Sequence, residues 1–451
     1  MTYTQCLDTL TALGHELRGV KFDLEAIQTI LARLGNPQTK YPTAIVAGTN
    51  GKGSTSAMLA SILTTAGYRT GLYTSPHLVR VNERIQIDGE KISDGEFAAG
   101  FTEVWQTVEC LLEQKALAVR PSFFEFLTAT AFLHFARAGI EFAVLEVGMG
   151  GRLDATNVTQ PRVAVITNID LDHQQFLGST LAAIAWEKAG VIKPHRPVIS
   201  ACEHPEAVEV IRRRAAELNA SLLEIPEAAK ISSIRRLDGH YAFDLSLENQ
   251  QFDALTAPLM GSFQVKNTAA AVVAAWRLCQ EGFSVPATAV VEGLRRTRWP
   301  GRLELISKDP WVALDGAHNP AAARVIAAHA QAHWPDRKLR LVYASMRDKA
   351  IGEISGILFP LAEELILTRP EQARAATPEE ILAASRYRPD RIIIEPDPAR
   401  ALEAACRESS AEDVVLVAGS LFLVGAVKQA LVEQRLELES LACRPVGPRL
   451  S

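Results

Sequence analysis

A glycine-rich segment with a single lysine, residues 48–55, contains the residue types that point most directly to chemistry. It follows an apolar, strand-like run, residues 44–47, and precedes a helical pattern that begins near Ser56. Glycines let backbone N–H groups turn toward phosphate oxygens, and a helix N-terminus adds positive potential. In such a loop Lys52 would reach the terminal phosphates, and a nearby hydroxyl would face magnesium. The segment predicts a phosphate-binding loop; the alternative is a glycine-rich turn with an incidental lysine.

The spacing within this segment departs from the common phosphate-loop pattern in two places. Four residues should separate the first glycine from Gly51, which puts Val46 where a glycine belongs. A further glycine, Gly53, lies between Lys52 and Ser54. We therefore expect a variant loop.

The elements that must position this loop alternate between strand and helix patterns. Such alternation predicts an α/β fold with a largely parallel, doubly wound sheet. Apolar and polar residues alternate over residues 231–252, which predicts antiparallel hairpins added to the first domain. The predicted strands of the first part are Thr43–Ala47 and residues 70–74, 142–147 and 163–167, and the predicted helices are residues 96–112, Phe123–Ala138 and residues 267–279 and 287–294.

A basic stretch with proline and glycine, residues 295–302, is the best linker candidate. Beyond it a second alternation predicts a smaller Rossmann-like α/β domain. We place the domains at residues 1–296 and 297–451. The predicted strands of the second domain are residues 312–314, 340–343 and 414–417, Glu364–Leu367 and Arg391–Ile394.

Three polar side chains, Ser75, Glu146 and His173, each follow a predicted strand. Ligands of doubly wound sheets bind outside the carboxyl ends of the strands, so we expect these residues to converge beside the phosphate loop. A hydroxyl, a carboxylate and an imidazole are possible magnesium ligands, with ATP oxygens and water completing an octahedron. Histidine is an unusual magnesium ligand, so residue type alone does not select His173. Alternatively, Ser75 is a turn residue, and Glu146 and His173 are surface groups.

Composition excludes several classes of protein. A length of 451 residues predicts two or three domains, and 48% hydrophobic residues with 22% charged residues is typical of a globular protein. A net charge of −5 argues against a nucleic-acid partner. We expect no transmembrane helix and no signal peptide, and hence a cytoplasmic protein. Six scattered cysteines without CxxC spacing predict reduced thiols: Cys6, Cys110, Cys202, Cys279, Cys406 and Cys443.

Seven motifs, taken together and in order, resemble those of the folylpolyglutamate synthases and dihydrofolate synthases, relatives of the Mur ligases of cell-wall synthesis. The variant phosphate loop matches the form found in these ligases. The resemblance runs over nearly the whole chain, as far as residues 418–421. The motifs are GTNGKGS, TSPHLVRVNERI, LEVGMGGRLDATN, LDH, WEKAGVIK, FQVKNTAAA and DGAHNP.

The resemblance implies a two-domain, ATP-dependent amide ligase with its active site in the cleft between the domains. Lys188 resembles the family lysine that is carbamylated, and in that form it would hold a second Mg²⁺; from the sequence alone it is interpreted as a helix-surface lysine. His318 would orient the glutamate or the phosphate. The implied Mg²⁺ ligands are Ser75, Glu146 and His173, and the implied ATP contacts are Gly51, Lys52, Gly53, Ser54, Asn267, Arg302 and Asp315.

A pterin site is implied by the segment from Ser122 to Glu125, where serine replaces the family's usual threonine. The aromatic pair Phe123 and Phe124 would pack a flat pterin, and Glu125 would accept its N–H donors. A structural interpretation is also possible, with Ser122 as the N-cap of a helix. The remaining implied pterin contacts are Leu153, Asp154 and Ala155.

The mechanism that we expect is activation of a carboxylate by ATP to an acyl phosphate, followed by attack of L-glutamate.

Within the family the acceptor is dihydropteroate or a reduced folate, and we favour an enzyme that uses both; an enzyme with only the second activity is the alternative. A Mur-type ligase would be expected to carry a nucleotide-sugar domain ahead of the loop, where only about 40 residues stand. A non-catalytic nucleotide-binding protein is the remaining alternative. We expect a monomer.

Overall fold

The computed structural model describes residues 1–14 and 23–436, so Cys443 lies outside the described residues. The chain forms two compact units, each with its own core. The first unit comprises residues 1–235, 242–258 and 264–298. The second comprises residues 236–241 and 259–263 and the described chain from Trp299 onward.

The first unit contains an eight-stranded sheet. Its strands are β1 (Thr43–Ala47), β2 (Thr70–Tyr73), β3 (Ile85–Ile87), β4 (Glu90–Lys91), β5 (Phe142–Glu146), β6 (Val163–Ile166), β7 (Val198–Ser200) and β8 (Leu222–Glu224). The spatial order is β4-β3-β2-β5-β1-β6-β7-β8. Strands β2, β5, β1, β6, β7 and β8 pair in parallel, whereas β3 and β4 add an antiparallel edge. Every residue of β1 and β5 is buried, as expected for parallel strands covered on both faces.

Within the part of the chain that the structure describes, eleven helices of the first unit accompany this sheet. They are α1 (Tyr3–Ala12), α2 (Glu25–Arg33), α3 (Lys52–Thr65), α4 (Asp94–Glu113), α5 (Phe123–Ala138), α6 (Gln174–Leu177), α7 (Leu181–Ala189), α8 (Pro205–Glu217), α9 (Ile225–Ala228), α10 (Gln264–Gln280) and α11 (Ala287–Arg296). Helices α1, α2 and α4 to α8 contribute apolar residues to one core. Short 3-10 helices occupy Pro37–Thr39, Val81–Arg84 and Ala155–Val158.

A separate three-stranded sheet consists of β9 (Lys230–Leu237), β10 (His240–Leu247) and β11 (Gln250–Ala257), in the order β11-β10-β9. Two residues join each pair of strands, and connections this short fit only antiparallel neighbours. The predicted hairpins over residues 231–252 are therefore confirmed, and the sheet extends to Ala257.

The second unit contains a six-stranded sheet. Its strands are β12 (Glu304–Lys308), β13 (Trp311–Leu314), β14 (Leu339–Tyr343), β15 (Glu364–Leu367), β16 (Arg391–Ile394) and β17 (Val414–Ala418). The spatial order is β12-β13-β17-β14-β15-β16, parallel except for β12. Its helices are α12 (Pro320–His333), α13 (Ile351–Leu358), α14 (Pro378–Ala384), α15 (Pro398–Arg407) and α16 (Leu421–Val432), with a 3-10 helix at Phe359–Leu361.

The predicted α/β class with largely parallel sheets is confirmed in both units. Five strands of the described chain were not predicted from the sequence, namely the short strands β3, β4, β7 and β8 and the edge strand β12. Within the described residues no helix is long and apolar enough to cross a membrane. The reduced thiols predicted from the sequence are present at Cys6, Cys110, Cys202, Cys279 and Cys406.

Candidate active site

Four neighbouring parallel strands of the first unit, in the order β2-β5-β1-β6, end at the same edge of the sheet. Residues 48–54 follow β1, Ser75 follows β2, the segment from Val147 follows β5, and residues 167–173 follow β6. The carboxyl edge of a doubly wound sheet is where ligands bind. The topology therefore brings four segments with candidate site residues to one edge.

The glycine-rich segment forms a turn that leads directly into α3. Gly51 has a φ of 83° and is the N-cap residue, so Lys52 is the first residue of the helix. Lys52 Nζ donates hydrogen bonds to the carbonyl oxygens of Gly48 and Thr49, over 3.1 and 3.2 Å. A lysine, a left-handed glycine and a helix N-terminus are thus present together, as a phosphate-binding loop requires.

The segment after β6 holds this turn in place. Asn50 N–H donates to Asn168 Oδ1 over 2.7 Å, and Thr167 Oγ1 donates to the Asn50 carbonyl over 2.6 Å. A Cβ at Gly48 would overlap Thr167 Oγ1, and the φ of Gly48 is 146°. Gly48 is therefore required by close approach of two chain segments.

Asn267 on α10 reaches the same turn from 216 residues away in sequence. A Cβ at Gly51 would overlap Asn267 Oδ1, so the amide lies directly against the backbone of the turn. Asn267 Nδ2 donates to Gln264 Oε1 over 2.9 Å, and Gln264 Nε2 lies 3.4 Å from Ser54 Oγ. The structure thus joins Gly51, Ser54 and Asn267, three of the residues that sequence analysis grouped.

Ser75 and Glu146 also come together at this edge. The Ser75 N–H donates to Glu146 Oε2 over 3.1 Å, and Glu146 is only 4% exposed. A buried carboxylate beside a hydroxyl-bearing residue supplies the hard oxygen donors that suit Mg²⁺.

His173 lies on the neighbouring loop at the start of α6, with a φ of 50° and its Nε2 3.9 Å from Asp172 Oδ2. Over residues 1–14 and 23–436, no three His, Cys, Asp or Glu side chains cluster in a way that could hold a metal ion. The structure therefore pairs two of the three predicted ligands and brings His173 to the same edge of the sheet.

Lys188 is the residue whose environment differs most from its sequence-based interpretation. It lies on α7 and is 4% exposed, so the interpretation as a helix-surface lysine is wrong. Its Nζ donates to the Gly48 carbonyl over 2.8 Å, the same oxygen that Lys52 reaches. Burial, with a contribution from the nearby Lys52 charge, lowers the pKa of Lys188 to about 7. A substantial fraction of this amine is therefore neutral near pH 7.

The segment from Ser122 to Glu125 begins α5 with a capping box. Ser122 Oγ accepts from the Glu125 N–H, while Glu125 Oε2 accepts from the Ser122 N–H and hydroxyl over 2.8 and 2.7 Å. The capping role considered from the sequence is therefore present.

The two phenylalanines of this segment make different contacts. The Phe124 ring packs on Tyr73, with ring centroids 5.9 Å apart, and a Cβ at Gly148 would lie 2.6 Å from Phe124 Cζ. The Arg84 guanidinium lies 5.3 Å from the centre of the Phe123 ring. Phe124 therefore borders the segment after β5, which contains the other implied pterin contacts, whereas Phe123 lies beside Arg84.

Asp154 organises the segment that follows β5. Its carboxylate accepts hydrogen bonds from the N–H of Met149 and from the N–H and hydroxyl of Thr156. Burial raises the pKa of this carboxyl, while these hydrogen bonds oppose the rise. Leu153 is half-buried and Ala155 is buried beside it. Asp154 therefore shapes the loop on which Leu153 and Ala155 lie.

Sequence analysis assigned no role to His77 and Arg84, which the structure brings together. Arg84, 2% exposed, donates from Nε to His77 Nδ1 over 2.8 Å. Burial, followed by the Arg84 charge, lowers the pKa of His77 to about 3, so the ring is neutral with its proton on Nε2. Their common motif, TSPHLVRVNERI, is the only sequence signal that connects them.

In the second unit, Asp315 follows β13 and accepts hydrogen bonds from the N–H groups of Leu303 and Ala317, over 2.8 and 2.7 Å. Burial raises the pKa of Asp315, and the Arg302 guanidinium opposes the rise. A Cβ at Gly316 would lie 2.6 Å from Arg302 Nη1. His318 Nδ1 lies 2.8 Å from the Gly316 carbonyl oxygen. Arg302, Asp315 and His318 therefore belong to one loop cluster.

Comparison with known proteins identifies both halves of the chain. The family described as "Mur ligase middle domain" matches residues 98–275, and "Mur ligase, glutamate ligase domain" matches residues 301–421. A dihydrofolate synthase/folylpolyglutamate synthase of Bacillus subtilis is 34% identical over 415 residues, covering 92% of this chain and 96% of the relative.

Solved structures agree in fold over almost the whole length. Escherichia coli FolC in complex with DHPP and ADP has a TM-score of 0.84 at 32% identity, covering 95% of this chain and 98% of that one. The bifunctional Yersinia pestis enzyme complexed with AMPPNP and Mn ion has a TM-score of 0.83 at 31% identity, covering 96% and 98%. With two matched ligase domains and relatives that align from end to end, this chain belongs to the folylpolyglutamate synthase/dihydrofolate synthase family of ATP-dependent, amide-forming Mur ligases.

Proposed function

We propose that this enzyme is a bifunctional dihydrofolate synthase and folylpolyglutamate synthase, which ligates L-glutamate to dihydropteroate and to reduced folates. The observation that carries the proposal is the arrangement around the first sheet. The phosphate loop, the Ser75–Glu146 pair, Lys188 and the segment that begins α5 all lie at or beside the carboxyl ends of four adjacent strands. The complexes of related proteins with DHPP and ADP and with AMPPNP support the same substrates here.

The reaction proceeds in two steps. A carboxylate oxygen of the acceptor attacks the γ-phosphorus of ATP, the bond to the bridging oxygen breaks, and ADP leaves. The glutamate amine then attacks the carbonyl carbon of the acyl phosphate, the carbon–oxygen bond to phosphate breaks, and the amine gives up a proton. Lys52 would leave the loop carbonyls to stabilise charge on the transferring group, because phosphoryl transfer depends chiefly on positioning and electrostatics.

Two Mg²⁺ ions are part of the proposal, and the pairing of Ser75 with the buried Glu146 supports one of them, because both side chains carry oxygen donors that suit Mg²⁺. Ser75, Glu146 and His173 would hold one ion, and a carbamate on Lys188 would hold the second. Bound Mg²⁺ supplies positive charge that neutralises the phosphate oxygens during transfer. The pKa of Lys188, about 7, supports carbamylation because the neutral amine is the form that reacts with carbon dioxide.

The remaining residues keep the roles that the family resemblance implies. His318 would orient the glutamate or the phosphate. We also propose two domains, residues 1–296 and 297–451. We further propose that the protein is a monomer located in the cytoplasm. The pterin site would consist of Ser122, Phe123, Phe124, Glu125, Leu153, Asp154 and Ala155, and the ATP contacts would be Gly51, Lys52, Gly53, Ser54, Asn267, Arg302 and Asp315.

An acceptor comparison tests the bifunctional assignment. Phosphate release is measured with ATP, Mg²⁺ and L-glutamate, and with either dihydropteroate or tetrahydrofolate as the acceptor. We expect glutamate-dependent release with both. Phosphate release with tetrahydrofolate alone would indicate a folylpolyglutamate synthase without the dihydrofolate synthase activity. Nucleotide binding without phosphate release with either acceptor would favour a non-catalytic protein. A Lys52→Ala variant is the control, because it should bind the acceptor but release little phosphate.

A further inference from the structure

The segment after β5 and the end of α7 meet backbone to backbone. A Cβ at Gly151 would lie 2.9 Å from the carbonyl oxygens of Glu187 and Lys188, and a Cβ at Gly190 would overlap Arg152. The Arg152 N–H donates to the Glu187 carbonyl over 2.7 Å. Both segments therefore need glycine where they meet, and little freedom remains in their separation.

The buried side chain of Asn157 forms hydrogen bonds to both of these segments. Its Nδ2 donates one hydrogen bond to the Arg152 carbonyl and one to the Gly190 carbonyl, each over 3.0 Å. Gly190 is the C-cap residue of α7, and carbonyls at a helix C-terminus lack helical partners. Asn157 is 4% exposed, so water has little access to these bonds. Lys193 Nζ in turn donates to the Asn157 backbone carbonyl over 3.0 Å.

The two segments that Asn157 joins each carry part of the proposed site. Lys188 lies two residues before Gly190 and reaches the Gly48 carbonyl of the phosphate loop over 2.8 Å. Leu153, Asp154 and Ala155 lie between Arg152 and Asn157. One buried amide thus links the helix that carries Lys188 to the loop that carries the proposed pterin contacts.

We propose that Asn157 is a positioning residue, which fixes Lys188 relative to the phosphate loop and to residues 153–155. The proposal rests on the proposed function for what Lys188 does. Displacements of about 1 Å from reacting atoms can lower turnover a hundredfold while ground-state binding persists. Loss of the two hydrogen bonds therefore lowers kcat more than it lowers nucleotide affinity. A purely structural role would lower stability and leave kcat of the folded protein unchanged.

The test compares three variants of the full chain. Asn157→Leu removes both donors in a side chain of similar size, and Asn157→His retains one N–H near the position of Nδ2. Arg152→Gln is the matched control, because the Arg152–Glu187 ion pair joins the same two segments from an arginine side chain that is 44% exposed. Each protein is measured for kcat, KM for ATP and for the acceptor, and the free energy of unfolding. 5-Fluorotryptophan labelling gives a fluorine NMR resonance for Trp186, assigned with Trp186→Phe, which reports on α7 two residues before Lys188.

We expect Asn157→Leu to lower kcat by about tenfold or more with KM for ATP changed less than about threefold, and to shift the Trp186 resonance. Asn157→His should fall between this variant and the wild type, and Arg152→Gln should stay within about twofold of wild-type kcat. A folded Asn157→Leu protein with wild-type kcat, or with kcat and ATP affinity reduced in equal proportion, would overturn the proposal.

Two further outcomes remain decisive. If Asn157→Leu does not fold, the Asn157→His variant tests the proposal instead. A wild-type kcat in Asn157→His would contradict the positioning role of Asn157. If the wild-type chain shows no turnover with either acceptor, the proposed function fails, but the Trp186 resonance still decides the positioning claim. An unchanged resonance in the Asn157 variants would then overturn it, and a shifted one would support it.

Discussion

At the scale of single residues, one carbonyl oxygen organises the candidate phosphate site. The Gly48 carbonyl accepts hydrogen bonds from both Lys52 and Lys188, although these lysines lie on different helices. Two amines near one point repel each other when both are charged, which contributes to the lowered pKa of Lys188. A bound triphosphate would supply the negative charge that this arrangement lacks.

Gly51 offers a direct test of the contact between the loop and Asn267. Gly51 and Gly89 both have a left-handed backbone, with φ values of 83° and 86°, so alanine strains both positions by about 1 kcal/mol. Only at Gly51 would the new Cβ overlap another residue, the Asn267 amide. We expect Gly51→Ala to weaken ATP binding by about tenfold or more, and Gly89→Ala to leave it within about twofold.

Isothermal titration with a non-hydrolysable ATP analogue measures both variants. Equal affinities for Gly51→Ala and Gly89→Ala would show that the Asn267 contact is irrelevant to nucleotide binding.

The placement of the candidate residues was predictable only where a local signal exists. The glycines and Lys52 of the loop stand together in sequence, and their arrangement follows from local chemistry. The burial of Lys188 and the contact of Asn267 with Gly51 depend on packing between elements far apart in sequence, which no local pattern encodes. The family resemblance selected both residues, whereas spacing alone did not.

At the scale of elements, α12 contains a buried histidine that the proposed mechanism does not use. His329 is 3% exposed, and neither of its ring nitrogens has a hydrogen-bond partner within the described residues. Its ring stacks on His333 at 4.3 Å and meets Trp334 edge-on at 4.9 Å. Burial, then the charges of His333 and His240, lowers the pKa of His329 to about 3.

This histidine should make the protein sensitive to acid. The unfolded chain protonates it near pH 6.5, whereas the folded chain does so only near pH 3, so the free energy of unfolding falls as pH drops through that window. We expect His329→Leu to remove an orphaned polar ring and to raise stability by about 1–2 kcal/mol at neutral pH, and by more at about pH 4.5. Urea unfolding at the two pH values measures the difference. A pH-independent effect of the substitution would contradict the assignment.

The N-terminal ends of β14, β15 and β17 share a buried ionic network. Arg340 pairs with Glu364 over 3.1 Å and with Asp413 over 2.7 Å, and all three side chains are less than 10% exposed. Arg340→Met removes the guanidinium that pairs with two buried carboxylates. We therefore expect this substitution to lower the free energy of unfolding by about 3–5 kcal/mol.

A neighbouring ion pair is the matched control for this network. Lys338 and Glu363 pair over 2.9 Å with both side chains more than half exposed, so Lys338→Ala should cost less than about 1 kcal/mol. Chemical denaturation of both variants measures these values. Similar losses for the two would show that burial does not set the strength of the Arg340 network.

The strongly patterned elements were predictable, and the short ones were not. The bounds of α5, Phe123–Ala138, match the prediction because Ser122 with Glu125 marks its start and Gly139, with a φ of 64°, marks its end. Strands such as β4 and β7 have two or three residues. A segment this short cannot show a recognisable alternation of apolar and polar residues.

At the scale of the whole molecule, the alternation of strands and helices determined the fold class, because parallel strands require long crossover connections. The antiparallel edges could not be derived in the same way. Strand β3 pairs with β4, and β12 with β13, through two-residue connections, and the burial of β3 and β12 depends on partners that are fixed only in three dimensions. The carboxyl-edge rule for doubly wound sheets placed Ser75, Glu146 and His173 at one edge, where Ser75 and Glu146 are in contact and His173 lies on the loop after β6.

We propose that ATP activates the acceptor carboxylate as an acyl phosphate. Dihydropteroate labelled with ¹⁸O in both carboxylate oxygens tests it directly, with mass spectrometry of the phosphate released during ligation to L-glutamate. The attacking oxygen stays with phosphorus when the carbon–oxygen bond breaks, so each phosphate released should contain one ¹⁸O. Unlabelled phosphate from a reaction that forms the amide product would contradict it.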